Sequence, residues 1–339
     1  MMKVAYVLII LFLFSFVSKS IGQGTETILF YNLENLFDTI DNPGTDDDDF
    51  LKNGDKRWSS YRYWAKIKNT WQVIAASGSW KPPMAIGVCE IENKKVLEDL
   101  IEHTPLSKYP YGIVHYDSPD ARGIDAGLLY RKDLMDTLHT GYRRIYFDNT
   151  ARKTRDLLFA VTCVDKDTFA FVVNHWPSRW GGKDLTAFKR IKVAREARLL
   201  VEEINQDYSD IALVMMGDFN DNPSDSSIKN YLIGQNPLCP EGSKKLVNLA
   251  TQPDSGLVRG THKYQRHWSL FDQFIVSDNL IDGKFAWQVP NAKMTIVNEK
   301  FLLEEDQKYY GVKPFRTYNG YHYQNGFSDH LPVKIEICR

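Results

Sequence analysis

The stretch IALVMMGDFNDN, Ile211 to Asn222, sets an apolar run directly against a carboxylate and an amide. Six consecutive apolar residues, Ile211 to Met216, suit a strand buried on both faces, and Gly217 is expected to turn the backbone sharply after it. Asp218 and Asn220 then stand at a strand end. Side chains two apart on an extended segment point the same way, so the two groups can address one ligand together. Gly, Asp and Asn are also ordinary turn residues, which makes a polar loop after a core strand the competing reading. The choice rests on what the rest of the chain supplies.

Working outward, the pattern of a strand ending in a polar residue recurs. Thr27 to Phe30 leads into YNLENLFD, with Asn32, Glu34 and Asn35. Met84 to Cys89 stops at Glu90 and is followed by the helical segment IENKKVLEDLIE. After the turn-rich loop Asp117 to Ile124, Ala126 to Tyr130 reads as a strand. Leu157 to Val164 and Thr168 to Val173 read as a strand pair, the second running into NHWPSRWGG with His175 and Arg179. Leu270 to Val276 carries Asp272, and the closing SDHLPVKIEI sets Asp329 and His330 before an alternating terminal strand.

Two helices stand between these strands. Tyr61 to Ala76 places Trp64, Ile67, Trp71 and Ile74 three or four apart, a spacing that predicts an inward face. Arg57, Arg62, Lys66 and Lys68 lie beside Trp58, Tyr61 and Tyr63, so a groove wall that stacks on nucleic acid is the alternative there. Residues 186–204 predict a second helix with Phe188, Ile191, Ala194, Leu199 and Val201 inward and Lys189, Arg190, Lys192, Arg195 and Arg198 outward. The acidic run Asp46 to Asp49 lacks the EF-hand spacing and reads as a solvated loop. Residues 231–261 are loop-rich, and no internal repeat or interdomain linker stands out.

The 339 residues are 43% hydrophobic and 25% charged, in the range of a soluble globular protein with a large core. Lys3, the uncharged run Val4 to Val17 and the small residues Ser20 and Gly22 have the layout of a signal peptide, too short to span a bilayer. The expectation is a signal peptide over 1–22, a single domain over 23–339, a secreted or periplasmic location, no stable membrane anchor and a monomer. Removing Lys3 and Lys19 from the 42 basic residues leaves 40 against 43 acidic ones, a net charge of −3. So nearly neutral a chain recognises a polyanion through a local patch or a metal, not through its overall charge. Cys89, Cys163, Cys239 and Cys338 show no zinc spacing, and disulfides and buried thiols both remain open.

Five strand ends thus carry polar groups: Asn32, Glu90, His175, the pair Asp218 and Asn220, and Asp329 with His330. In a sheet protein with both faces packed, such ends can cluster along one edge. Carboxylates gathered there repel unless a cation or proton intervenes, and all-oxygen ligation suits Mg2+ or Mn2+. Metal-assisted hydrolysis of a phosphoester fits this set. The sequence resembles the endonuclease/exonuclease/phosphatase superfamily from about Thr27 to Ile337, through NLENLF, VCEIEN, RGIDAGLLYR, VNHWPSR, MGDFNDNP, FDQFIVS and SDHLPV in that order.

The resemblance implies a four-layered α/β sandwich, two mixed sheets face to face with helices outside. It implies that Glu90 binds the metal with Asn32 and Asp329 nearby, and that Asp218 orients or deprotonates the attacking water. Asn32 and Asn220 would hold the scissile phosphate, with Arg179 as a further phosphate ligand. Asp272 would orient His330, and His175 would protonate the leaving oxygen with Asp125 as its orienting carboxylate. The function expected is a Mg2+-dependent nuclease of low sequence preference whose partner is a nucleic-acid phosphodiester. The alternatives are hydrolysis of phospholipid head groups or sugar phosphates, and a binding module that has lost catalysis.

Overall fold

In the computed structural model, the residues described are 24–339 except 79–80, 149–152, 209, 235–242, 252 and 254. The signal-peptide segment 1–22 and Cys239 lie outside them. The strands are β1 (Thr25–Leu36), β2 (Ala85–Ile91), β3 (Tyr111–His115), β4 (Asp125–Arg131), β5 (Asp136–Arg143), β6 (Leu157–Val164), β7 (Asp167–His175), β8 (Ala212–Asp218), β9 (Leu246–Asn248), β10 (His262–Tyr264), β11 (His267–Ser269), β12 (Asp272–Ser277), β13 (Thr295–Ile296), β14 (Leu303–Glu305), β15 (Val312–Pro314), β16 (Tyr318–Asn319), β17 (His322–Tyr323) and β18 (Val333–Cys338). The helices are α1 (Ser60–Ser77), α2 (Lys94–Glu102) and α3 (Lys183–Asp207). Two six-stranded sheets carry the fold, ordered β13-β18-β1-β2-β4-β3 and β5-β6-β7-β8-β12-β9. Each has one parallel pair, β1 with β2 and β7 with β8, among antiparallel neighbours, so both sheets are mixed.

Period-two alternation builds the layers. Ile28 and Phe30 of β1 join Phe169, Phe171 and Val173 of β7 and Ala212, Val214 and Met216 of β8 in the core between the sheets. Leu29 and Tyr31 point the other way, onto Tyr63, Ile67 and Ile74 of α1 and Val96, Leu97 and Leu100 of α2. Ala170, Val172, Leu213 and Met215 pack on Val193, Ala197, Leu200 and Val201 of α3. Helix, sheet, sheet, helix is therefore the order of layers, the sandwich that the resemblance implies. Among the described residues no helix is long and apolar enough to cross a membrane.

Several sequence expectations need correction. Gly217 does not turn the chain; it lies within β8, where a Cβ would stand 2.4 Å from the carbonyl oxygen of Asn174. Glycine there lets β7 and β8 approach, and the turn follows Asp218. On α1 the buried face is Tyr63, Lys66, Ile67, Thr70, Val73, Ile74 and Ser77, while Trp64 is 41% exposed and packs edge-on against His103. Part of the basic-aromatic set is withdrawn from any groove wall: Trp58 and Tyr63 are buried, and Lys66 is buried as a donor to Thr317 Oγ1 and the Phe327 carbonyl, while Arg57, Tyr61 and Lys68 stay exposed.

On α3, Arg190 and Arg198 point inward and Phe188 outward. Arg190 is fully buried because Asp221 Oδ2 lies 2.8 Å from its Nε, a paired charge being far cheaper to bury than a lone one. In the acidic run, Asp47 is buried and accepts the Asn42 amide at 3.1 Å. Cys89, Cys163 and Cys338 are free thiols.

Candidate active site

The same alternation that fills the core sets polar groups on its rim. Asn32 continues the inward face of β1 after Ile28 and Phe30, His175 that of β7, and Asp218 that of β8. Asp272 opens β12 on the face of Phe274 and Val276. β18 faces β12, β1 faces β8, β2 faces β7, and β4 faces β6 and β7. Polar groups therefore form a row along one edge: Asp272 with His330, then Asn32 with Asp218, then Glu90 with His175; past it, Arg155, which precedes β6, pairs with Asp120 at 3.0 Å. Glu90 would point outward by alternation, but a bulge in β2 and a φ of +59° at Glu90 bring its carboxylate back to the row. Glu34, Asn35 and Asn220 also sit at positive φ, at +50°, +58° and +50°. Four non-glycine residues in this sparsely populated region around one point mark a site where the fold holds backbone strain.

Asn32 is the pivot. Its Nδ2 donates to Glu90 Oε1 at 3.3 Å and to Asp218 Oδ2 at 3.2 Å, and its Oδ1 accepts the Glu34 amide at 2.9 Å. Glu90 Oε2 accepts the Asn35 amide at 3.1 Å, and Asp218 Oδ1 accepts the Asn220 amide at 2.8 Å. The Asn220 side chain donates to the Trp176 carbonyl at 2.9 Å, fixing the loop after β8. Burial pushes the Asp218 carboxyl up to about 7, against the pull of the His330 charge. His330 Nδ1 pairs with Asp272 Oδ2 at 2.7 Å. Burial alone would lower this imidazole, but Asp272 and Asp218 outweigh it and hold it well above its ordinary value.

Asp329 lies on the outer side of His330 and is bonded to Arg316 Nη2 at 3.0 Å. Burial would raise its carboxyl; Arg316, His330 and His262 bring it down to about 2. Arg316 also meets Glu34, whose other oxygen accepts the Thr317 amide at 2.7 Å. Sequence pattern does not bring Arg316 to Glu34, because 282 residues separate them. Nor does it single out His262. Its ring lies 4.8 Å from that of His330, and burial lowers it to about 3.

Two expected roles change. Asp125 does not orient His175; its carboxylate takes His115 Nε2 at 3.0 Å and the Ser118 amide at 2.9 Å, tying down the loop before β4. His175 Nδ1 is buried without a partner among the described residues, and burial, with Arg155 and Arg122 nearby, holds the ring well below its ordinary value. His175 is therefore neutral, and the charged imidazole of the row is His330. Arg179, expected on a phosphate, instead donates Nε to the Asn220 carbonyl at 2.8 Å and Nη2 to Asp221 and Asp225. Its plane lies over Phe271, so it buttresses the loop that carries Asn220.

A divalent cation fits the centre of the row. Glu90 and Asp218 converge on one neutral amide, and no lysine or arginine pairs with either among the described residues. Two carboxylates so placed repel unless a proton or a cation lies between them. Oxygen donors of this kind suit Mg2+ or Mn2+.

The family model described as "Endonuclease/Exonuclease/phosphatase family" matches residues 27–339, and the chain belongs to that family, a superfamily of metal-dependent phosphoesterases. Solved structures share the fold. Danio rerio TDP2 complexed with a single-strand DNA product is 15% identical with a TM-score of 0.53, over 93% of this chain and 99% of that one. A mannosyl-6-phosphatase from Bacteroides thetaiotaomicron is 16% identical with a TM-score of 0.53, over 92% and 99%. An endonuclease/exonuclease/phosphatase family protein from the same organism is 16% identical with a TM-score of 0.55, over 93% and 95%. A search of curated protein sequences returns no match.

Proposed function

We propose that the chain is an extracytoplasmic, Mg2+- or Mn2+-dependent phosphodiesterase that cleaves nucleic acid with little sequence preference. One observation carries the substrate class. Next to the row, where Arg155 reaches the carbonyl of Trp176 beside His175, lies a cavity of about 980 Å3 lined by Arg122, Lys153, Arg155 and Lys189 against Asp46 and Asp120. Arg155 Nε and Thr154 Oγ1, both buried in its wall, have no hydrogen-bond partner among the described residues, while Arg155 Nη1 pairs with Asp120 at 3.0 Å and Nη2 donates to the Trp176 carbonyl at 2.6 Å. Unpaired buried donors are costly to keep, and an incoming anion would satisfy them. A phosphomonoester needs no such tract, whereas a strand with regularly spaced phosphates does. The related structure with a bound DNA product supports the reading, and the signal-peptide layout of residues 1–22 supports the location.

The chemistry follows from the row. Glu90 would hold the cation, with Asp329 and Asn32 beside it; bound there, it would neutralise charge on the phosphate oxygens. Asp218, ionised, accepts the proton of the attacking water. Its carboxyl sits at about 7, so the rate is expected to climb as pH rises through about that value. His330, kept charged by Asp272, donates to a phosphate oxygen, and Asn32 and Asn220 position the group. Neutral His175 offers Nε2 toward the leaving side, and an arriving phosphate raises its proton affinity.

The test is a panel: the purified protein with Mg2+ against plasmid DNA, single-stranded DNA, RNA, sphingomyelin, phosphoinositides and mannose 6-phosphate, with and without chelator. Chelator-sensitive cleavage of nucleic acid is expected. Turnover of lipids or sugar phosphates alone would overturn the reading.

A further inference from the structure

The row has a second opening, on the side of β1 and α1. A pocket of about 260 Å3 lies between the C-terminal end of β1 and the segment 316–320, walled by Glu34, Asn35, Phe50, Lys56, Arg316 and Tyr318. Its walls touch the expected metal ligands directly: the Asn35 amide is bonded to Glu90 and Arg316 to Asp329. Whatever fills it is therefore adjacent to the scissile group. At 260 Å3 it falls below the ~300–1,000 Å3 of ordinary ligand pockets, so it admits one small group and not a strand.

Its walls keep hydrogen-bond donors in reserve, although Arg316 is flanked by the Glu34 and Asp329 carboxylates and Asp49 and Asp55 lie near Lys56. Arg316 engages Glu34 and Asp329 through Nε and Nη2, which leaves Nη1 without a partner among the described residues. Lys56 Nζ gives one proton to the Gly320 carbonyl at 2.7 Å and lies 5.0 Å from the ring centroids of Tyr318 and Tyr321. The Asn35 side-chain amide has no partner among the described residues either. The one acid in the wall, Glu34, is already taken by Arg316 and the Thr317 amide. Three donors, two of them cationic, above aromatic rings suit a group with several acceptor oxygens.

We propose that this pocket binds the terminal phosphate of a strand whose body lies in the larger cavity, so that the enzyme removes residues from phosphorylated chain ends. The inference rests on the nuclease reading above. One single-stranded oligonucleotide tests it in four forms with Mg2+: phosphorylated at the 5′ end, phosphorylated at the 3′ end, hydroxyl-ended, and closed into a circle. One phosphorylated form is expected to be degraded about tenfold or more faster than the hydroxyl-ended strand, as a charge-assisted hydrogen bond implies, and the circle is expected to resist. In Lys56→Gln that rate ratio should fall towards one.

Equal rates for phosphorylated and hydroxyl ends, or a circle cut as fast as the linear strands, would overturn the inference and leave the nuclease reading standing. If no form is cut while a lipid or sugar phosphate is hydrolysed, both fall.

Discussion

His175 and His330 bring Nε2 to the same oxygen, Asp218 Oδ2, each at 3.8 Å, and both rings are buried, yet they are held in opposite charge states. The difference lies at the other nitrogen. His330 Nδ1 meets the Asp272 carboxylate at 2.7 Å, whereas His175 Nδ1 has no partner among the described residues, and burial with Arg155 and Arg122 lowers the ring although Glu90 Oε1 lies 3.7 Å from its Nε2. Burial costs the charged form in both, so the neighbours decide. Asp218 thus has a cationic imidazole on one side and a neutral one on the other. In the proposed reaction the cation would face the phosphate oxygens and the neutral ring the leaving side, where its proton affinity would rise when substrate arrives.

That contrast can be broken at its stronger arm first. Asp272→Ala removes the carboxylate that keeps His330 charged, and kcat should fall by roughly 10²–10⁴ in steady-state kinetics with metal present. A loss of only a few-fold would mean that the dyad does not take part. His175→Gln comes next. It keeps a polar group but removes the imidazole that delivers a proton on the leaving side, and about a ten- to hundredfold loss is expected, concentrated in kcat and larger for substrates with poor leaving groups. An equal loss for good and poor leaving groups would count against its place on that side.

The smallest effect belongs to stability. His262 packs on His330 and is lowered to about 3 by burial, from an ordinary 6.5. Its folded form stays neutral while the unfolded chain takes up a proton, so the stability it contributes is present above pH 6.5 and is lost as pH falls from 6.5 toward 3. The slope is at most about 1.4 kcal/mol per pH unit. His262→Phe should flatten the pH dependence of Tm in that window; an unchanged slope would show that other groups set it.

The strand ends were legible because two signals coincide in them: a buried apolar run and the polar residue that stops it. Period-two alternation then carries Asn32, His175 and Asp218 to the face between the sheets. Glu90 was legible as a residue but not as geometry, since a bulge, which alternation does not announce, turns it inward. β5 was not read at all, for its residues lie almost wholly at the surface and alternate weakly on an edge strand. Arg316 and Glu34 escaped because their pairing depends on a long return of the chain, and Arg190 because its partner Asp221 is 31 residues away on another element. Apolar patterning reports local periodicity; buried ion pairs are set by tertiary contact, and a charged residue placed outward by pattern is the predictable error.

Asp218 lies between the two histidines and is the group both are arranged around. Asp218→Asn keeps the shape but removes the base, and its single carbonyl oxygen can accept from only one of Asn32 and Asn220, so the direct measurement is hydrolysis of single-stranded DNA with Mg2+ by this variant against the unaltered protein, with Tm recorded for both. The account predicts an intact fold and loss of turnover; a folded variant that still cleaves at a comparable rate would contradict it.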